Sequence, residues 1–358
     1  MRIIIVGGTF GDVPKESKII KEVGAVFEGM TNCQSVTVVN GGTIEQLGDI
    51  ASFDQMIPYD LVLWMPNVSN DVEKIYPKKY MGAVLVCSKV VGLNDRDYGD
   101  AVARIFKMNG NAVIAIDKSN DPYEFVLLDA LGNKWSSNAN ISAIVESIVR
   151  LYEWTNLSIR MNSLPVTFDD SFDVSGKLEE LCDITRKIAD VVEAERGGRY
   201  FGNVSTRCAA MFPSMRLPND LVLMSARNVD KQRLSSSDFV FTRLNTCLDH
   251  FVAYEGVRKP SVDAPIQLSI YNTFDSINFI VHGHAYIDGA PFTENYYPCG
   301  DMREYVAVKG EVMSSRHKFV INLKNHGFLI GASTLMQLKD IVDSCRFQYR
   351  ELYKQIEE

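Results

Sequence analysis

Through residue 150 the chain alternates short apolar runs with stretches whose apolar positions fall three and four apart. The runs are Ile3–Val6, Val36–Val39, Leu61–Trp64, Ala83–Cys87 and Ala112–Ile116, each bounded by Gly, Asn, Asp or Pro. Such runs, separated by amphipathic stretches, read as βαβ units, and uninterrupted apolar strands suit a parallel sheet buried on both faces. Ile141–Trp154 has helical spacing, with Ile141, Ile144, Val145, Ile148, Val149 and Tyr152 on one face, and closes this domain at about residue 155. Residues 156–175 contain Asn156, Asn162, Pro165, Asp169 and Asp170 with little periodicity and read as a linker. Gly176–Arg196 predicts a helix with Leu178, Leu181, Ile184, Ile188, Val191 and Val192 on one face, stopped by Gly197-Gly198. From Tyr200 to about Ile330 short alternating segments predict β structure, and Thr334–Ile356 predicts a closing helix. The expected organisation is an α/β domain over 1–155, a linker over 156–175, and a second α/β domain over 176–358.

Composition leaves this picture intact and narrows the partners. At roughly 150 residues per domain, 358 residues make about two. Hydrophobic residues at 46% are enough for two cores, and the net charge of −8 argues against a nucleic-acid partner, which needs Lys and Arg to neutralise phosphates. The opening M-R-I-I-I-V-G-G lacks the layout of a signal peptide, and no stretch reaches the roughly 18 apolar residues of a membrane span. Seven scattered cysteines form no C-x-x-C pair, so reduced thiols and a cytoplasmic location are expected.

The chemistry concentrates in the histidines. Residues 278–285 read N-F-I-V-H-G-H-A, which places His282 and His284 two apart on a β run. Residues i and i+2 of a strand face the same way, so one metal ion could bridge the two rings. His326 ends a second apolar run, followed by Gly327. Three histidines with an open fourth position is the pattern of a catalytic zinc rather than a structural one. The alternative for H-x-H alone is packed or surface histidines; His250 and His317 have no partner motif and read as ordinary residues.

The order of motifs from Gly202 to Gly331 resembles the class II aldolase/adducin family. Gly202-Asn203-Val204-Ser205 resembles its G-N-x-S phosphate loop, Pro218–Val222 its strand entry, and Lys259–Asp263 its K-P-S-S-E segment. His282-Gly283-His284, Pro298–Gly300 and Asn325-His326-Gly327 resemble its metal pair, the stretch after it and the third-ligand segment. The resemblance covers roughly residues 176–350. It implies an α/β/α domain around a mainly antiparallel sheet, with a Zn²⁺ or another divalent cation on His282, His284 and His326. It implies a lyase (an aldolase, or a dehydratase or epimerase on the same scaffold) that works through a metal-stabilised enediolate on a sugar-like carbonyl substrate in carbohydrate metabolism. Asp263 stands where the family has its proton-moving glutamate, one methylene shorter. Its plain alternative is a turn aspartate before Ala264-Pro265. The resemblance also implies a homo-oligomer, tetramers being common in the family.

Three departures limit the analogy. The family's T-P-S-G is here Phe212-Pro213-Ser214-Met215, losing a hydroxyl and a glycine; Val262 replaces a serine; and the segment from His284 to Pro298 omits the region of the proton-donating tyrosine. Tyr296 or Tyr297 could substitute, Tyr297 being the candidate catalytic residue beside Asp263. Gly202, Asn203, Ser205, Ser214 and Ser261, with Arg207, remain candidates for holding a substrate or anion. A substrate other than an ordinary sugar phosphate is expected.

In the first domain Gly7, Gly8, Thr9 and Gly11 follow the first β run, where open α/β sheets bind phosphates and nucleotides. The stretch is neither G-x-G-x-x-G nor a P-loop, and it resembles Rossmann/flavodoxin-like and nucleoside deoxyribosyltransferase-like domains only loosely. Tight βα turns are the plain alternative. Two rival functions stay open: a non-catalytic, adducin-like assembly protein, or a bifunctional chain whose first domain acts on a nucleoside or sugar.

Overall fold

The computed structural model describes residues 1–52, 59–69, 72–77, 83–92, 98–119, 121–159, 163–245, 251–314, 317–354 and 356. The chain divides into two compact units, Met1–Asn156 with Leu352–Glu358, and Leu157–Glu351. The expected linker is thus part of the second unit, and the last residues belong to the first, where backbone bonds Tyr353 N–H to Gly132 O and Lys134 N–H to Lys354 O tie them down.

The first unit contains β1 (Arg2–Phe10), α1 (Lys18–Glu28), β2 (Ser35–Gly42), α2 (Ile44–Ala51), β3 (Leu61–Val68), β4 (Val84–Val91), α3 (Gly99–Lys107), β5 (Ala112–Asp117), β6 (Glu124–Asp129), β7 (Lys134–Asn138) and all but the last turn of α4 (Ile141–Ile159). Its sheet runs β2-β1-β3-β4-β5-β6-β7. The first five strands are parallel, in the doubly wound order 2-1-3-4-5 of flavodoxin-like folds, and β6 and β7 add an antiparallel edge. The apolar runs explain this: Ile3–Val6, Leu61–Trp64 and Val84–Cys87 are buried throughout, as a strand covered on both faces must be. Thr43 opens α2 with a capping box, its hydroxyl accepting from Gln46 N–H while Gln46 Oε1 accepts from Thr43 N–H.

The second unit contains β8 (Ser163–Pro165), α5 (Glu179–Ala189), β9 (Glu195–Arg196), β10 (Arg199–Tyr200), β11 (Asn203–Arg207), α6 (Cys208–Met211), β12 (Val222–Ser225), β13 (Phe239–Asn245), β14 (Phe251–Glu255), α7 (Ala264–Thr273), β15 (Phe279–Gly283), β16 (Ala285–Ile287), α8 (Met302–Ser314), β17 (Lys318–Leu323), β18 (Gly327–Ala332), α9 (Leu335–Ser344) and β19 (Phe347–Tyr349). The main sheet runs β17-β18-β15-β11-β12-β13-β14-β8 and is antiparallel except at β14·β8. One face packs on α5 and α9 through Leu181, Ile188, Val204, Val281, Ile330 and Leu338. The other packs on α7 and α8 through Ile270, Tyr271, Ile280, Val308, Val312 and Leu329. Alternation along β15 produces this split, since successive side chains point to opposite faces.

Two predicted helices are shorter than their apolar pattern. α5 ends at Ala189, and Gly197-Gly198 forms the two-residue turn of the β9–β10 hairpin, both residues at positive φ (59° and 80°). Those glycines therefore turn a ribbon and do not stop a helix. The closing helix ends at Ser344: Cys345 is extended at ψ 140°, and Phe347–Tyr349 pairs with β16 instead.

Candidate metal centre

β15 carries the first histidine because of its alternation. Phe279 and Val281 face the α5/α9 core, Ile280 faces α7/α8, and His282 follows Ile280 on that side. In register, His282 lies between Asn203 of β11 and Leu329 of β18. The strand ends at Gly283, so His284 stands just beyond it, bridged to Glu193 and stacked on Phe201 at 4.7 Å between rings. His326 comes from the β17–β18 hairpin. Asn325 supplies the left-handed residue (φ 55°), and a Cβ on Gly327 would lie 2.1 Å from Gly283 O, so glycine alone permits this approach of β18 to β15.

The structure brings the three rings together, with centroids 4.7 to 5.4 Å apart. One nitrogen from each lies within 4.8 Å of the others, and all three residues are buried. His282 Nδ1–H donates to Phe328 O at 2.8 Å, which leaves its Nε2 as a bare lone pair. Among the described residues, His282 Nε2 and His284 Nδ1 are buried with no hydrogen-bond partner. Burial, then the charge of His326, pushes His282 down to about 4, and burial holds His284 well below the ordinary histidine range. Both rings are therefore neutral at neutral pH, the form that binds a metal. His326 differs. Burial opposes its charge, but Cys299 and Glu304 outweigh that and raise it well above the ordinary value. Its Nδ1–H donates to Glu304 Oε1 at 2.8 Å, and its Nε2 lies 3.3 Å from Cys299 Sγ. Neutral, buried, partnerless nitrogens converging on one point fit a divalent cation of nitrogen-ligand preference.

Asp263 stands at the head of α7, yet its carboxylate does not cap that helix. Oδ1 accepts from Gly300 N–H at 2.9 Å, and Oδ2 lies 3.8 Å from His282 Nε2. Asn203 Nδ2 donates to Ser261 Oγ at 2.9 Å and to Asp263 Oδ2 at 3.3 Å. Behind them, Gln267 Nε2 donates to Asn203 Oδ1, and Ser205 Oγ–H donates to Gln267 Oε1 at 2.6 Å. Asn203 and Ser261 thus join Asp263, with Gly202 leading into β11 beside them.

The other candidates for anion binding are placed differently. Ser205 is fully buried between Gln267 and Tyr271. Arg207 spends its guanidinium on the carbonyls of Ile277, Asn219, Tyr271 and Phe274. Ser214 lies in an exposed 3-10 turn past the end of β11 opposite to Asn203. Tyr297 is partly buried with the Arg303 guanidinium 5.4 Å over its ring.

In the first unit Gly7, Gly8 and Thr9 are strand, because β1 runs on to Phe10. The Thr9 N–H is taken by Lys15 O at 2.7 Å and that of Gly11 by Gly42 O at 3.0 Å, so neither cradles an anion. His317 is exposed, and His250 lies outside the described residues. Sequence reasoning missed Glu304, Cys299 as an individual residue, and Phe201. Only the hairpin and α8 bring Glu304 to a histidine 22 positions later, and no spacing rule announces that.

Residues 179–287 match the family model described as Class II Aldolase and Adducin N-terminal domain. Among curated proteins none matches. Among solved structures, an L-fuculose 1-phosphate aldolase is similar at 23% identity over 47% of this chain and 81% of its own, TM-score 0.35. The N-terminal class II aldolase domain of a protein from Thermoplasma acidophilum is similar at 16% identity over 49% and 94%, TM-score 0.34. A DNA/pantothenate metabolism flavoprotein from Streptococcus pneumoniae is similar at 12% identity over 43% and 98%, TM-score 0.29. The family match falls within the stretch whose motifs carry the resemblance: in the second unit, residues 179–287 are similar to the class II aldolase/adducin domain.

Proposed function

We propose that the second unit is a divalent-metal lyase of class II aldolase type acting on a sugar-like hydroxy-carbonyl substrate. The observation that carries this reading is the pair of buried, partnerless nitrogens on His282 and His284 facing His326. A purely assembling, adducin-like protein would have no use for them, and unpaired buried polar atoms are costly.

His282, His284 and His326 would hold the ion, and Zn²⁺ suits their chemistry. When bound, such an ion polarises a neighbouring carbonyl or hydroxyl oxygen as a Lewis acid. Asp263 moves the proton. Its Oδ1 is fixed by Gly300 N–H, so Oδ2 is the oxygen turned to the cluster, where it accepts the proton of the substrate hydroxyl as the adjacent carbon–carbon bond opens. Asn203, anchored by Gln267 and Ser261, keeps that carboxylate in place. Tyr297 is the candidate donor to the carbon left behind.

Metal analysis of the purified chain tests the reading. About one divalent ion per chain is expected, and His284→Ala should lose it. A metal-free chain, or a variant that keeps the full complement, would refute it.

A further inference from the structure

One of the three histidines has a sulfur neighbour that the three-histidine reading leaves unused. Cys299 Sγ lies 3.3 Å from His326 Nε2, the nitrogen of that ring not spent on Glu304. The ligand-capable atoms of Asp263, Cys299 and His326 lie within 4.8 Å of one another, as do those of His282, His284 and His326, so His326 is shared by both groups. Sulfur at about 2.3 Å and nitrogen at about 2.0–2.1 Å from a tetrahedral zinc are about 3.6 Å apart, close to the separation seen here.

The sulfur is held there by construction. Gly300 follows Cys299 at φ 78°, its N–H fixed on Asp263 Oδ1 at 2.9 Å, and a Cβ on it would lie 2.9 Å from Val262 O. The Cys299-Gly300 turn is therefore pinned to the head of α7 on one side and to His326 on the other. The partnerless nitrogens of His282 and His284, which share His326 with this group, are the independent sign of a site built for a ligand.

Resting on the three-histidine reading above, we propose that Cys299 is a fourth ligand, a thiolate that closes the coordination sphere of the substrate-free protein. Its thiol proton leaves to solvent as the metal–sulfur contact forms. A closed N₃S set belongs to structural zinc, whereas turnover needs an open position. Substrate must therefore displace the sulfur or add as a fifth donor. Thiolate also biases the site towards zinc and cobalt and away from magnesium and manganese.

Cobalt loading of the full chain tests this. The cobalt-loaded chain should show a sulfur-to-cobalt charge-transfer band in the near ultraviolet. Cys299→Ser should lose that band, still take up one cobalt, and bind it at least about tenfold more weakly. Asp263→Asn should keep the band. Should Cys299→Ser fail to fold, alkylation of the unmodified chain read by mass spectrometry gives the answer: Cys299 should be protected by zinc and modified after chelation. One cobalt bound without the band, or alkylation indifferent to zinc, overturns the proposal and leaves the three-histidine site standing. No cobalt bound at all overturns both.

Discussion

Glu304 Oε1 accepts the Nδ1–H of His326 at 2.8 Å, and the pair is buried. A carboxylate behind a ligating imidazole fixes its tautomer and raises its basicity, and losing one typically costs about 10–100-fold in metal affinity. Glu304→Gln should weaken metal binding by that factor in a chelator competition, with the circular dichroism unchanged. A second buried charge gives a pH prediction. Burial drops Lys231 to about 8, and its Nζ donates to Val229 O at 2.9 Å. An unfolded lysine titrates near 10.4, so between pH 8 and about 10.4 the unfolded chain holds the extra proton and stability rises with pH. Lys231→Met should stabilise the chain by about 1–3 kcal/mol at pH 7, with the gain fading above pH 8. Thermal melts at pH 7 and pH 10 check both size and sign. At this scale the sequence announced His282, His284, His326 and Asp263 because short motifs hold them. Glu304 and Lys231 carried no such mark, since their surroundings come from distant segments. Ser205 and Arg207 read as anion-binding candidates in the sequence, and their bonding to Gln267, Tyr271 and backbone carbonyls was not legible because it exists only in the folded sheet.

At the scale of elements, the hairpin carrying His326 depends on backbone contact. Gly327→Ala would place a methyl 2.1 Å from Gly283 O and part β18 from β15, the strand that ends at the other two histidines. Overpacking of this kind costs about 1–3 kcal/mol or more. A lower denaturation midpoint together with weakened metal binding is expected; a change in either alone would detach the hairpin from the site. Buried strands were legible as apolar runs. Element ends were less so. The apolar face that continues past Ala189 does so because Val192 packs in the same core after the helix has ended. Gly7 and Gly8 looked like a turn but lie within β1, since β2 and β3 both pair alongside as far as Phe10.

At the scale of the molecule, the parallel 2-1-3-4-5 order of the first unit and the antiparallel sheet of the second are separate solutions to burying apolar strands. No helix among the described residues is long and apolar enough to cross a membrane. The fold class was readable because period and run length differ between the two halves. The return of Tyr353, Lys354 and Ile356 to the first unit was not, because backbone bonds to Gly132 and Lys134 and the packing of Tyr353 on Tyr98, not a periodic pattern, hold them. For the substrate, the displaced Ser214 and the internally satisfied Ser205 and Arg207 leave few donors for a phosphate. Simple ketose phosphates should be cleaved weakly or not at all in a coupled assay beside unphosphorylated ketoses. Robust turnover of the phosphates would show that their binding uses other groups.

The most direct test is the metal content of the purified full chain by elemental analysis, measured beside His284→Ala. About one divalent ion per chain is expected, removable by chelation and lost in the variant. A chain that folds without metal, or a variant that retains the full complement, would contradict it.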